Sequence, residues 1–119
     1  MPTSRDEFDP LALVVDWLDT CRSRDLNALL GLYDERATLE CACEHVSLIG
    51  PKSIAAYWAP KLDGKTVTAF TLDDVTLTGD GVQVDYQSYE GKPVRIHFRF
   101  SPSGKILHTS CCPLVRCTV

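Results

Sequence analysis

Hydrophobic positions in this chain repeat first with a helical period and then with a period of two. Asp9-Pro10 opens the first helical stretch. Asp caps free amide groups, and Pro suits the first turn, where its missing N–H has no partner to lose. Leu11, Val14, Val15, Leu18 and Cys21 make an inward stripe, widened by Leu13 and Trp17, while Asp16 and Asp19 fall off it. Arg22-Ser23-Arg24 links to a second helix capped by Asp25, with Leu26, Leu29, Leu30 and Tyr33 at i, i+3, i+4 and i+7. Asp34-Glu35-Arg36 breaks that pattern. From Ala37 the alternation is that of a strand: Ala37, Leu39, Cys41 and Cys43 face one way, Thr38, Glu40 and Glu44 the other. This corner, from Asp25 to His45, is predicted to organise the rest of the chain.

Val46 to Ile49 leads to Gly50-Pro51, a turn and a helix start. Ile54, Tyr57 and Trp58 give a third amphipathic helix, with Pro60 ending or bending it and Asp63-Gly64 turning the chain. Thr66 to Thr78 reads as strand, with an apolar phase shift between Ala69 and Phe70 that predicts a bulge or sharp bend. After the Gly79-Asp80-Gly81 turn, Val82, Val84 and Tyr86 alternate; so do Val94, Ile96, Phe98 and Phe100. A three-residue loop, Tyr89-Glu90-Gly91 with Gly left-handed, keeps both sets on one face and pairs Tyr86 with Val94 and Val84 with Ile96. Past Ser101-Pro102-Ser103-Gly104, a last strand runs from Lys105 to about Cys112. Pairing Phe98 with Leu107 turns Thr109 and Cys111 inward and His108, Ser110 and Cys112 outward.

The predicted order is helix, helix, strand, helix and four consecutive antiparallel strands. This is an α+β domain in which three helices pack on the concave face of a cone-shaped, curved antiparallel sheet and enclose a pocket. At 119 residues the chain reads as a single domain, 1–119, long enough to bury roughly two-thirds of its surface. Hydrophobic content of 45% and charged content of 24% are those of a soluble globular chain. A net charge of −4 argues against nucleic acid as a partner, since phosphate binding rests on Lys and Arg. No apolar run is long enough for a bilayer, and the polar start MPTSRDEFDP is neither a signal nor a transit peptide. A cytoplasmic location follows, with the six cysteines mainly reduced.

Three stretches carry a family likeness: VVDWLDTCRSRDLNALLGLYDERATLE, GPKSIAAYW and HFRFSPSGKI. With the order of elements they resemble the nuclear transport factor two-like superfamily, which includes SnoaL-like polyketide cyclases and ketosteroid isomerases. The likeness runs from about Leu11 to Cys112. It implies the cone fold and a small-molecule pocket, but no single reaction, because members include enzymes and binding modules. Set beside the isomerase pattern, the general-base Asp falls at Cys41, the oxyanion-hole Tyr near Trp17 and the protonated Asp at Ile96. That chemistry needs an Asp base and two donors to the oxyanion. A thiol, an indole and a hydrocarbon do not supply it. SnoaL-type cyclisation also wants a pocket carboxylate, absent at Cys41.

The expected pocket lining is Trp17, Cys41, Cys43, Tyr57, Trp58, Tyr86, Ile96, Phe98, Thr109 and Cys111. An unconventional catalytic set for a cyclase, isomerase or hydrolase would draw on Cys41, Asp16, Tyr86 and Thr109. A reactive Cys41 needs a cation or helix N-terminus nearby to lower its pKa; otherwise it is an inert thiol. Cys41, Cys43 and His45 at i, i+2 and i+4, with Cys111, have ligand types for zinc, yet one strand cannot easily wrap a tetrahedron and the recognised spacings are missing. Buried small hydrophobes are the stronger reading, so no metal and no cofactor are expected. Nor should neighbouring cysteines bridge, since i and i+2 lie roughly 6.5–7 Å apart on a strand. Arg95, His97 and Arg99 alternate on the outer face, as an anion site, a dimer contact or a solvated sheet face. The expected partners are a small apolar molecule and a second copy through that face, with no nucleic acid and no membrane. A dimeric module without a ligand is the remaining alternative.

Overall fold

Both capping predictions hold in the computed structural model, which describes residues 9–42 and 45–113. Asp9 accepts from the amides of Leu11 and Ala12 at 3.1 and 3.3 Å and opens α1, Pro10–Arg22. Asp25 accepts from Ala28 at 3.1 Å and opens α2, Leu26–Gly31. The remaining elements are β1 (Tyr33–Cys41), β2 (Val46–Ile49), α3 (Pro51–Asp63), β3 (Leu72–Thr78), β4 (Gly81–Gln87), β5 (Pro93–Phe100) and β6 (Ile106–Pro113).

The strands form one curved, unclosed six-stranded sheet in the order β2-β1-β6-β5-β4-β3. β3 to β6 make the consecutive antiparallel run that the sequence predicts. The sheet as a whole is mixed, because β1 lies parallel to β6, with Leu39 opposite Thr109 and Cys41 opposite Cys111. Val84 pairs with Ile96 and Tyr86 with Val94, as expected. Gly91 takes φ +81° in the loop between them, a backbone that glycine adopts without strain.

Five local expectations are corrected. Tyr33 is the first residue of β1, not the last of a helical stripe, so the strand begins four residues before Ala37. Val46–Ile49 is a strand in its own right, antiparallel to β1. Pro60 does not end α3, which runs on to Asp63, because a proline late in a helix costs one backbone hydrogen bond without stopping the last turn. Residues 66–71 are turn and loop, with the chain reversing at Phe70, whose φ is +62°. Phe98 pairs with Thr109 rather than Leu107, through an irregularity between Arg99 and Phe100. That shift of two residues keeps Thr109 on the inward side, while the irregularity puts Ile106 rather than Leu107 in the core.

α1 turns Val14, Trp17, Leu18 and Cys21 into the core and leaves Leu11 and Val15 exposed, so its buried stripe centres on Trp17. The core joins these residues to Leu29, Ile54, Trp58, Leu62, Phe70 and the inward set of β1, β4, β5 and β6. Beyond the helices, the edge strand β3 leaves Leu72, Val75 and Leu77 exposed. Among the described residues, no helix is long and apolar enough to cross a membrane.

Candidate functional site

Trp17 stands at the centre of the interior. Its ring meets those of Trp58, Phe70, Tyr86 and Phe98 edge-on, with centroids 5.6, 6.0, 5.4 and 5.2 Å away. Edge-to-face contact sets the positive rim of one ring against the negative face of another. The indole Nε1–H donates to the Tyr33 hydroxyl at 3.1 Å, tying α1 to the first residue of β1. Burial pushes the Tyr33 phenol above its ordinary range, and the Trp17 N–H pulls it partly back. Burial also raises the Tyr86 phenol and the Cys21 thiol well above their usual values, so both stay neutral.

Most of the predicted pocket residues come together here. Trp17, Cys41, Trp58, Tyr86, Ile96, Phe98 and Thr109 are all buried. Cys111 is half-buried in β6 between Cys41 of β1 and Ile96 of β5. Tyr57 is half-buried at the margin, its ring 4.0 Å from the Lys61 ammonium, which also lies 5.1 Å from the Tyr89 ring. Asp16 is exposed on α1 and does not join the interior group. Cys43 lies outside the described residues. Among the described residues, β1 ends at Cys41 and His45 is exposed in a turn with φ +55°, so these two do not share a strand face.

Two buried polar atoms have no hydrogen-bond partner among the described residues, Trp58 Nε1 and Thr109 Oγ1. Trp58 Nε1 sits close enough to the Tyr33 oxygen to lower its pKa, yet outside hydrogen-bond geometry. Unpaired buried donors cost roughly 1–3 kcal/mol each, so native interiors seldom keep them without reason.

The pocket residues expected from sequence omit Tyr33 and Phe70. Tyr33 looked like helix face, because four apolar residues happened to keep helical spacing up to it. Phe70 announced itself only as a break in alternation. It is fully buried, stacked on Tyr86 with ring planes 14° apart, and held in the left-handed region. That backbone costs an L-residue roughly 1–2 kcal/mol. Arg22 Nη1 donates to the Phe70 carbonyl at 2.7 Å, and the Phe70 amide donates to the Gln87 carbonyl at 2.6 Å.

On the outer sheet face the basic residues meet acids of the same chain. Arg95 donates to both Asp85 oxygens, at 2.7 and 3.0 Å, which lowers the Asp85 pKa. His97 Nε2 lies 3.0 Å from Thr78 Oγ1 and 3.2 Å from Asp80. Arg99 approaches Asp80 at 3.9 Å. His108 meets Thr38 Oγ1 at 2.6 Å.

This helix-and-sheet arrangement is found in known proteins. Residues 14–108 match the SnoaL-like domain. The chain belongs to that family. Its fold is the nuclear transport factor two-like, ketosteroid isomerase-like one. A SnoaL-like protein of unknown function from Burkholderia thailandensis superposes with TM-score 0.78 at 19% identity, over 86% of this chain and 92% of that one. A putative polyketide cyclase from Sinorhizobium meliloti gives 0.69 at 20% identity, over 92% and 99%. The Orange Carotenoid Protein of Anabaena (Nostoc), in a structure binding canthaxanthin, gives 0.60 at 16% identity, over 83% of this chain and 35% of that one. At these identities the likeness is one of fold. No curated protein matches the chain in sequence.

Proposed function

We propose that this SnoaL-like domain binds a small, predominantly apolar molecule in its interior, between the helices and the concave sheet face. The observation that carries this reading is the aromatic interior with two buried polar atoms left unpaired, Trp58 Nε1 and Thr109 Oγ1. A site for a small molecule is mainly apolar, with a few placed polar groups to orient the ligand. The canthaxanthin complex of a structural neighbour supports the same use of the fold. Native mass spectrometry of the purified chain, followed by solvent extraction, should recover a stoichiometric low-molecular-weight species. A protein with no extractable species, and no response to any neutral aromatic probe, would overturn the reading.

Steroid isomerisation is not part of the proposal. Ile96 has no donor, and the Trp17 N–H is already spent on Tyr33. Turnover of a Δ5-3-ketosteroid should stay at the uncatalysed background, and measurable conversion by the wild type would refute this. Six cysteines and an acidic net charge fit a reducing cytoplasm and no nucleic-acid partner.

We further propose a homodimer through the outer sheet face around Arg95, His97 and Arg99. A wide antiparallel face with alternating charge is suited to a polar interface. Light scattering at micromolar concentration should give twice the chain mass. Arg95→Glu combined with Arg99→Glu should shift it toward the monomer by placing new carboxylates beside Asp85 and Asp80. A wild-type monomer, or a dimer indifferent to the double reversal, would count against the interface.

A further inference from the structure

The parallel contact between β1 and β6 brings together two thiols that lie far apart in the sequence. Cys41 of β1 and Cys111 of β6 are partners on one rung of it. Both take the inward phase of their strands: Cys41 follows Ala37 and Leu39 in β1, and Cys111 follows Thr109 in β6. Neighbouring strands lie roughly 4.8 Å apart, inside the ~4.4–6.8 Å between Cα atoms that a disulfide spans. The Ala42 amide donates to the Cys111 carbonyl at 2.9 Å and holds this rung closed. The other described cysteines are placed elsewhere. Cys112 takes the outward phase, opposite Arg95, and Cys21 lies on α1. The two partner thiols also differ in access, since Cys41 is 4% exposed and Cys111 is only half-buried.

We infer that Cys41 and Cys111 form a reversible cross-strand disulfide, a redox modification site whose oxidant is a low-molecular-weight disulfide. The site does not depend on the ligand reading above. Cys111 is the residue that meets the oxidant. Its thiolate attacks one sulfur of the external disulfide, that S–S bond breaks, and one thiolate leaves. Cys41, deprotonated, then attacks the Cys111 sulfur of the mixed disulfide and expels the second thiolate. The two cysteine protons end on the two released thiols, and the two electrons have reduced the external disulfide. The bond sets the Cβ atoms ~3.8 Å apart, closer than relaxed strand spacing. The rung can yield that far because β1 ends at Cys41. Disulfides formed against such resistance are the readily reduced ones, so the pair is a dithiol in a reducing thiol pool and closes when the pool oxidises. Closure staples the one parallel pairing of the described sheet. It also closes a long loop, the case in which a cross-link restricts the unfolded chain most.

The test treats the purified full chain with oxidised glutathione and maps its disulfides by tandem mass spectrometry of unreduced peptides. Cys41 should be joined to Cys111 within one chain, and excess reduced glutathione should open the bond again. The urea midpoint of the oxidised protein should lie about 1 M above that of the reduced protein. Cys111 and Cys112 are adjacent, so the mapping is repeated on Cys112→Ser, which should form the same bond and show the same rise. Cys111→Ser should show no rise on oxidation, and Cys41→Ala gives the same reading should the serine variant fail to fold. A Cys41 that stays a thiol or bonds to any other cysteine overturns the inference. So does glutathione retained on Cys111 without a bond to Cys41, a bond that reduced glutathione does not open, or an equal midpoint in the two redox states.

Discussion

Trp17→Ala is expected to remove about 4–6 kcal/mol of folding stability, much of what a domain of this size has. The side chain is fully buried and touches four other rings, so truncation deletes four edge-on aromatic contacts of the interior at once. Truncating a buried tryptophan costs about 3–5 kcal/mol from lost transfer energy and the cavity left behind. The Tyr33 hydroxyl then loses its donor in a place water does not reach, which adds about 1 kcal/mol. Trp17→Phe keeps an aromatic ring but gives up the N–H and part of the volume, and should cost about half as much. Urea denaturation of the three proteins checks both values. A loss under about 2 kcal/mol for Trp17→Ala would show that the interior does not depend on this ring.

Gly81→Ala should be the most damaging single-methyl addition in the sheet. A Cβ at Gly81 would lie 1.8 Å from the Phe98 carbonyl oxygen and 3.0 Å from its carbon. Both atoms are backbone of β5, which is paired on its two sides by β4 and β6, so they cannot turn away as a side chain would. The strain must instead pry β4 from β5 at the start of the strand. That move also pulls Thr78 and Asp80 from His97. Overpacking costs about 1–3 kcal/mol where side chains can yield; with backbone on the far side, about 3 kcal/mol or more is expected. Gly79→Ala is the control. It adds the same methyl two residues earlier, meets nothing within 4 Å, and should change stability by less than about 0.5 kcal/mol. Equal stability of the two variants would show that β4 does not run against β5 as described.

The contrast between those glycines shows what a sequence can and cannot carry. The β4–β5 hairpin was legible, because Val82, Val84 and Tyr86 alternate in step with Val94, Ile96 and Phe98 and Gly91 fixes the loop length. The caps at Asp9 and Asp25 were legible for the same reason: the chemistry is local. β2 was missed, since four residues are too few to set a period and Ile49 is 74% exposed, against its composition. Residues 66–71 read as strand because Thr, Val and Phe favour strands, yet the chain turns there, with the Ala69 amide on the Thr66 carbonyl and only isolated bonds across to Gln87 and Tyr89. The parallel contact of β1 with β6 joins distant segments and leaves no mark in either. Most of the buried interior was readable from inward phase alone. Tyr33 and Phe70 were not, because one sits at a change of period and the other depends on a backbone conformation that its residue type disfavours.

That parallel contact governs when the protein can become itself during synthesis. Thr38 and His108, partners across it, stand 70 residues apart. At roughly 5–20 residues per second, β1 waits roughly 4–14 s on the ribosome for the strand it must lie against. Until β6 emerges, β1 can pair only with the short β2 and presents an open edge to whatever is near. The nascent chain therefore passes through an interval in which α1, α2 and the first hairpin have no sheet to close on, and chaperone protection matters most in those seconds. Folding completes from its last strand, with β6 inserted between two halves that hold no other pairing in common.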